Sequence, residues 1–177
     1  MRTQRKYARA EHERRFLLEQ FPSSADVVRV RRITDRYIDD TRLRLRKQSD
    51  EEEPAIFKLT QKVPAQGPGS QQGFITSMYI TESEFCVLAQ LPARELSKTR
   101  YSVPPFGIDV FEGALEGLLL AEAEFETAAA ADALVLPPFV LGEVTDDDRF
   151  TGGCLVRSSR RNIQSWLLDY GIRLTSR

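Results

Sequence analysis

Several residue types that would point to a particular chemistry are scarce in this chain. It has 177 residues but a single histidine, His12, and only two cysteines, Cys86 and Cys154. One histidine excludes a metal site built on several histidines and argues against a Ser-His-Asp triad. Two cysteines form at most one disulfide, and their spacing fits no metal motif. We interpret both as reduced thiols, which predicts a cytoplasmic protein.

Long apolar runs and an excess of one charge are also lacking. No segment approaches the length of a transmembrane helix, and the first ten residues lack the apolar core of a secretory signal. We therefore expect no membrane partner. The 25 lysines and arginines nearly balance the 26 aspartates and glutamates, for a net charge of −1. Nucleic-acid-binding domains usually carry a basic surplus, so we expect no nucleic-acid partner.

The remaining composition is that of an ordinary globular protein, with 41% hydrophobic and 29% charged residues. A chain of this length suits one domain with a real core. We expect a single domain over residues 1–177, with a core that carries the motifs at about 7–155 and a C-terminal helix at about 158–170. A domain of this size is compatible with a homodimer, although no feature demands one.

Charged residues alternate with apolar ones in several short runs. This period of two is typical of β-strands and recurs at residues 10–18, 42–47, 55–62, 96–103 and 118–127. Further strands are predicted at 27–34, continuing past a bend to 38, and at 74–80 and 107–111. Helices are predicted at 81–91, where Thr81 and Glu84 form a capping box, at 128–134 and at 158–170. The pattern predicts a mainly β, α+β fold, with one antiparallel sheet or barrel and peripheral helices.

The rows of charge allow two interpretations. Each row is the solvent face of a two-sided sheet, which is the usual position of a charge run, or it lines the inside of a closed one. Three rows carry a single sign, whereas neighbouring surface strands usually mix signs. A lumen lined by arginine and lysine requires a polyanion, because unpaired buried charge is costly. A second patch of carboxylates requires a cation, and Mg²⁺ or Mn²⁺ suits it, so the inward arrangement describes a metal-dependent polyphosphate site.

An ordered set of motifs carries a family resemblance. E-H-E-R-R-F at residues 11–16 resembles the E-x-E-x-K opening of the CYTH superfamily, the triphosphate tunnel metalloenzymes. Six further stretches follow in that family's order: R-Y-I-D-D-T-R-L-R-L-R, F-K-L-T-Q-K, K-T-R-Y, I-D-V-F-E-G-A-L-E-G-L, A-E-A-E-F-E and G-E-V-T-D-D-D-R-F. The set runs from Glu11 to about Leu155. The resemblance implies an eight-stranded antiparallel closed barrel whose charged tunnel holds a triphosphate.

The resemblance also implies roles for individual residues. The expected metal ligands, for Mg²⁺ or Mn²⁺, are Glu11, Glu13, Glu122 and Glu124. The expected phosphate-binding residues are Arg42, Arg44, Arg46, Lys58, Lys98 and Arg100, with Lys62 as a further candidate. The expected catalytic residues are Arg15, Tyr37 and Glu124, the last to orient the attacking water. The roles of Asp109, Glu126 and Glu143 stay open.

Two positions depart from the family pattern. Arg15 stands where the motif has lysine, and arginine stays charged whereas lysine can take part in proton transfer. This departure bears on turnover more than on binding. Thr76–Ile80 is uncharged where many relatives carry charge, which shrinks the polar lining on one side.

The expected function is metal-dependent hydrolysis of a small anionic triphosphate, most simply inorganic tripolyphosphate. Three alternatives remain open on the same fold: a thiamine triphosphatase, an adenylate cyclase type of activity, and a non-catalytic polyphosphate or nucleotide-binding module that Arg15 would favour. The first interpretation of the charge rows leaves a fourth, a sheet protein with charged outer faces and a protein partner.

Overall fold

The computed structural model describes residues 6–23, 26–64 and 71–174. Within them the chain forms nine strands: β1 (Arg9–Leu17), β2 (Arg29–Ile38), β3 (Leu43–Ser49), β4 (Ile56–Pro64), β5 (Gln71–Ile80), β6 (Ala93–Val103), β7 (Phe106–Phe111), β8 (Leu119–Phe125) and β9 (Gly142–Glu143). Four α-helices accompany them: α1 (Glu82–Leu88), α2 (Ala128–Asp132), α3 (Gly152–Leu155) and α4 (Arg160–Leu168). Two 3-10 turns lie at Gly113–Leu115 and Asp148–Phe150.

Eight of the strands close into an antiparallel barrel. The sheet order is β5-β4-β3-β2-β6-β7-β8-β1, and β5 pairs with β1 to complete the circle. One edge of β1 is shared, because β5 pairs with its first half and the short β9 with its end at Phe16 and Leu17. The predicted eight-stranded antiparallel barrel with peripheral helices is confirmed. β2 is one continuous strand that begins at Arg29, without the predicted bend, and no strand includes Val27 or Val28.

The predicted helices begin where their capping residues stand. Thr81 caps α1, and its hydroxyl accepts from the Glu84 backbone while the Glu84 side chain accepts from the Thr81 backbone. This is the capping box that the sequence predicts. Ser159 caps α4 in the same way with Asn162. The Phe85 ring of α1 packs at 4.9 Å from the Phe57 ring, so α1 covers the outer face of β4.

Two apolar clusters pack against the barrel wall, one on its outer face and one on its inward face. On the outer face, Phe16, Ile108 and Ala121 pack with Phe139 and other residues of the segment after β8. The second cluster continues the inward rows: Leu17 lies two residues beyond Arg15, and Leu120 is its partner across β8. These leucines pack against α3, α4 and the nearby turns through Phe150, Leu155, Ile163 and Leu167. The inward face therefore changes from apolar, under the C-terminal helices, to charged further along the barrel.

Candidate active site in the barrel

A cavity of about 770 Å³ opens where the charged rows of β1, β2, β3 and β4 meet the segment after β9. Its lining combines both signs of charge. The acidic side chains are Glu11, Glu13, Asp146 and Asp148, and the basic ones are Arg15, Arg42, Arg44, Lys62 and Arg157. Such a lining suits a ligand that carries both an anionic group and a bound cation.

The carboxylates of β1 reach this cavity because alternate residues of a strand share a face. Glu11 accepts a hydrogen bond from Lys62 Nζ at 2.8 Å, which joins β1 to β4. Glu13 is only 6% exposed. Burial, followed by the nearby charge of Glu122, raises the pKa of Glu13 to about 7. A buried carboxyl group whose charge is disfavoured in this way would gain from a bound cation.

Glu122 lies opposite Arg15 in the β1–β8 ladder and faces the basic residues of β6. Its carboxylate contacts the Arg100 guanidinium. Burial alone would raise the pKa of Glu122, but Lys98 and Arg100 outweigh burial and lower it. Glu122 therefore already has a cationic partner, and it is not among the residues that line the cavity.

Glu124 lies at the outer end of β8, opposite Glu13. Its side chain is 62% exposed and lies 3.9 Å from Arg9. The structure therefore does not bring Glu124 into the cavity, although it shares the parity of Glu122. Its assignment as a metal ligand and water-orienting residue stays a prediction.

A divalent cation fits the donor chemistry of Glu11 and Glu13. Across the described ranges, no three histidine, cysteine or acidic side chains converge as a ready-made metal cage. Mg²⁺ does not require one, since it keeps several waters and is commonly bound by one or two carboxylates together with phosphate oxygens of the substrate. Two buried or half-buried carboxylates at a cavity wall, one with a raised pKa, meet that requirement.

The predicted phosphate-binding residues fall into two groups. Arg42 and Arg44 line the cavity, and Lys62, the further candidate, lies beside them. The others lie outside that lining: Arg46, Lys58, Lys98 and Arg100. Their assignment as phosphate ligands stays a prediction.

Three of the outlying cations are engaged by buried acids. Arg100 donates to both oxygens of Asp109 at 2.6 Å, and Lys98 contacts the same carboxylate. Asp109 is 0% exposed, so the carboxylate at the centre of this network has no contact with solvent. Arg46 donates to both oxygens of Asp35, again at 2.6 Å. The fourth cation, Lys58, lies 4.8 Å from the centre of the Tyr79 ring.

Arg15 is buried in the cavity wall. Its Nη2 donates to the Thr145 carbonyl at 2.7 Å, and its Nε lies 3.8 Å from Glu13. The backbone N–H of Arg15 also donates to the Thr145 hydroxyl at 3.1 Å. Arginine at this position therefore links β1 to the segment after β9.

Tyr37 borders the cavity from β2, and burial raises the pKa of its phenol. Its hydroxyl lies against Gly152 at the start of α3, where a Cβ would stand 1.9 Å from the oxygen. Glycine is therefore required at residue 152 for Tyr37 to keep this position. The role of Tyr37 in catalysis stays a prediction.

Several residues of this region are missing from the sequence-based set. Asp35 pairs with Arg46, while Thr145, Gly152 and Arg157 border the cavity. Asp35 had a signal, because it shares the inward parity of Arg31 and Tyr37. The other three lie on turns and short helices, where no periodic pattern shows which way a side chain points.

The uncharged stretch Thr76–Ile80 forms the last half of β5. Ser77 faces Thr60 of β4, and their hydroxyl oxygens lie 2.9 Å apart. A neutral hydrogen bond thus joins β4 to β5 here, and the smaller polar lining expected on this side stays a prediction.

Comparison with known proteins agrees with this arrangement. The chain is 35% identical over 156 residues to an inorganic triphosphatase of Nitrosomonas europaea. The match covers 84% of this chain and 97% of that relative. The solved structure of the inorganic triphosphatase NE1496 has a TM-score of 0.54 at 29% identity, over 85% of this chain and 96% of that one. PH1819 of Pyrococcus horikoshii, at 20% identity and a TM-score of 0.50 over 92% and 91% of the two chains, supports the fold alone. A comparison with models of protein families gives no match.

Identity at this level along almost the whole relative, together with the closed barrel, confirms the resemblance carried by the motifs: the chain belongs to the CYTH superfamily, the triphosphate tunnel metalloenzymes.

Proposed function

We propose that this protein is a metal-dependent triphosphatase that hydrolyses inorganic tripolyphosphate or another small triphosphate in the barrel cavity. The observation that carries the proposal is the cavity itself, a space of about 770 Å³ whose lining includes Glu11 and Glu13 together with Arg42 and Arg44. The similarity to an inorganic triphosphatase along 84% of the chain supports the same activity.

The two carboxylates of β1 would hold the divalent cation, Mg²⁺ or Mn²⁺. Such an ion, when bound with the substrate, neutralises charge on the phosphate oxygens. Glu13 is the more dependent on it, because burial disfavours its charge. Arg42 and Arg44 would bind the phosphate chain, and the planar fork of arginine matches phosphate oxygens in a two-point contact.

Catalysis in this scheme rests on positioning and electrostatic stabilisation. Arg44 would face charge that develops on the leaving pyrophosphate. Tyr37 borders the same space, and its neutral phenol can donate a hydrogen bond to a phosphate oxygen or to the attacking water. Arg15 would supply fixed positive charge without taking part in proton transfer, because its guanidinium stays protonated.

Binding without turnover is the second candidate, and Arg15 is the observation that favours it. The side chain that would be a lysine in the family motif is tied to the Thr145 carbonyl. If proton handling near the water requires lysine, a barrel with arginine holds a triphosphate without cleaving it.

We further propose a cytoplasmic location, because Cys86 and Cys154 are both free thiols. Among the described residues, no helix combines the length and the apolar character needed to cross a membrane. The balanced charge of the chain supports a small anion as the ligand in preference to nucleic acid.

The test is release of phosphate from tripolyphosphate, ATP and thiamine triphosphate, each with Mg²⁺ or Mn²⁺ and with a chelator. The proposal predicts metal-dependent release, greatest with tripolyphosphate. Stabilisation by tripolyphosphate without release would support the binding module instead. If none of the three triphosphates is bound and none releases phosphate, both candidate functions are overturned.

A further inference from the structure

Asp35 is a buried carboxylate that the proposed chemistry does not use. It lies on the inward face of β2, is 1% exposed, and accepts from Arg46 through both oxygens. Nε and Nη2 of Arg46 each donate at 2.6 Å, which is the two-point geometry of a strong arginine–carboxylate pair. Asp35 thus occupies the Nε–Nη2 edge of the Arg46 guanidinium, which could otherwise make the same two-point contact with a phosphate.

Arg44, two residues earlier on β3, meets the same carboxylate differently. Its Nε lies 3.6 Å from Asp35 Oδ1, which is close enough for attraction but too long for a hydrogen bond. Arg44 lines the cavity, whereas Arg46 does not. The strand register explains the difference, because Arg46 lies directly opposite Asp35, while Arg44 lies opposite Tyr37.

The charges of this trio, Asp35, Arg44 and Arg46, leave one positive charge for a ligand. Burial alone would raise the pKa of Asp35, but Arg44 and Arg46 outweigh burial and hold it well below its usual range. The carboxylate is therefore ionised at neutral pH and cancels one of the two guanidinium charges. The uncancelled charge is on the side of Arg44, which faces the cavity.

We propose that Asp35 is a positioning residue of the triphosphate site: it holds Arg46 away from the phosphate chain and keeps Arg44 directed into the cavity. The inference rests on the proposed function. Asp35 is then the reason why Arg44 is directed at the phosphate chain and Arg46 is not, although both lie on one face of β3.

Asp35→Asn removes the charge and keeps the size of the side chain. It leaves two uncancelled guanidinium groups in place of one, and it releases Arg46 toward bound phosphate. We expect the KM for tripolyphosphate to fall, because the ground state gains a contact. We expect kcat to fall on the order of tenfold or more, because the phosphate chain is then held out of line.

The double variant Asp35→Asn/Arg46→Gln separates this role from a structural one. It restores the net charge of the trio and removes the released guanidinium, so KM should return toward the wild-type value. A merely structural Asp35 predicts instead that both variants lose stability, that KM is unchanged in each, and that the second change restores nothing.

Asp50→Asn provides the matched control. Asp50 accepts from Arg29 Nε at 2.7 Å in the turn after β3, outside the cavity. Asp50→Asn also breaks an arginine–aspartate pair, so it should lower the melting temperature while KM and kcat keep their wild-type values. A KM change in Asp50→Asn equal to that in Asp35→Asn would overturn the inference.

A spectroscopic measurement tests the pair without a substrate. The Nε–H signal of Arg46, assigned by its loss in Arg46→Lys, should exchange slowly with water in the wild type and rapidly in Asp35→Asn. A slow signal that persists in Asp35→Asn overturns the inference and leaves the proposed function intact. Failure of the wild type to bind tripolyphosphate in a calorimeter overturns the proposed function, and the phosphate-directing role of Asp35 with it, even where the Arg46 signal behaves as expected.

Discussion

Arg15 donates from Nη2 to the carbonyl oxygen of Thr145, 2.7 Å away, and so links β1 to the segment that follows β9. The residue that departs from the family motif thus has a structural contact as well as a place in the cavity wall. Lysine at this position would carry the same charge but could not reproduce the planar guanidinium contacts.

We expect Arg15→Lys to lower the free energy of unfolding by about 1–3 kcal/mol, since a buried hydrogen bond from a charged donor is lost. Urea denaturation measures this change. Arg94→Lys is the control, because the exposed Arg94 forms only a 3.8 Å ion pair with Asp39 at the surface. Its loss should be about 1 kcal/mol or less. Equal losses in the two variants would contradict the structural role of Arg15.

Gly152→Ala should displace the Tyr37 hydroxyl, because the new Cβ would stand 1.9 Å from it. Forcing atoms into a filled space commonly costs about 1–3 kcal/mol, and we expect a loss of stability in that range. We also expect a lower kcat for tripolyphosphate. Gly153→Ala is the stability control, since no atom lies within 4 Å of its Cβ position. A similar loss of stability in both variants would show that Tyr37 is not the cause.

Arg100→Ala should act mainly on stability. It removes the two-point partner of Asp109, which is 0% exposed, and leaves that carboxylate in contact with Lys98. Breaking a buried pair from one side costs about 3–5 kcal/mol, which thermal or urea denaturation would detect.

Arg42→Ala is the contrasting variant, because Arg42 is exposed at the cavity. It should leave the melting temperature almost unchanged and raise the KM for tripolyphosphate. If Arg100→Ala were as stable as wild type, the buried network would not have the structural importance assigned to it.

The stability contribution of Asp35 should depend on pH with a definite sign. Arg44 and Arg46 outweigh burial and depress the pKa of Asp35 in the folded protein, whereas in the unfolded chain it is about 3.9. Its contribution is therefore complete above about pH 5 and is lost as the pH falls through the folded value. The difference in unfolding free energy between wild type and Asp35→Asn should be constant from pH 7 to pH 5 and shrink below about pH 4. A difference that grows on acidification would contradict this assignment.

The sequence could predict the strands and the inward faces because both follow from a period of two. Arg44 and Arg46 share one parity, and the structure places both on the inward face of β3. The pattern could not show that Arg46 hydrogen-bonds to both oxygens of Asp35 while Arg44 stays 3.6 Å away, because that depends on which residue of β2 lies opposite each. Asp35 lies opposite Arg46 only through the register of two strands joined by a turn.

Strand ends show a second limit of the periodic pattern. Glu122 and Glu124 alternate correctly, yet Glu122 contacts Arg100 inside and Glu124 is 62% exposed. The parity of a residue predicts the face of the strand on which it lies. It does not predict the residue at which the strand extends beyond the end of the barrel. Gly152 shows a third limit, since its close contact with Tyr37 joins residues that are far apart in the chain.

The most direct measurement of the central claim is a ³¹P NMR time course of tripolyphosphate with the wild-type protein and Mg²⁺, alongside Arg44→Gln. A triphosphatase site at this cavity predicts that wild type converts each tripolyphosphate to one pyrophosphate and one phosphate. It predicts that a chelator stops the conversion, and that Arg44→Gln slows it at subsaturating substrate by on the order of tenfold or more. An unchanged tripolyphosphate spectrum with wild type, or equal rates for wild type and Arg44→Gln, would contradict the claim.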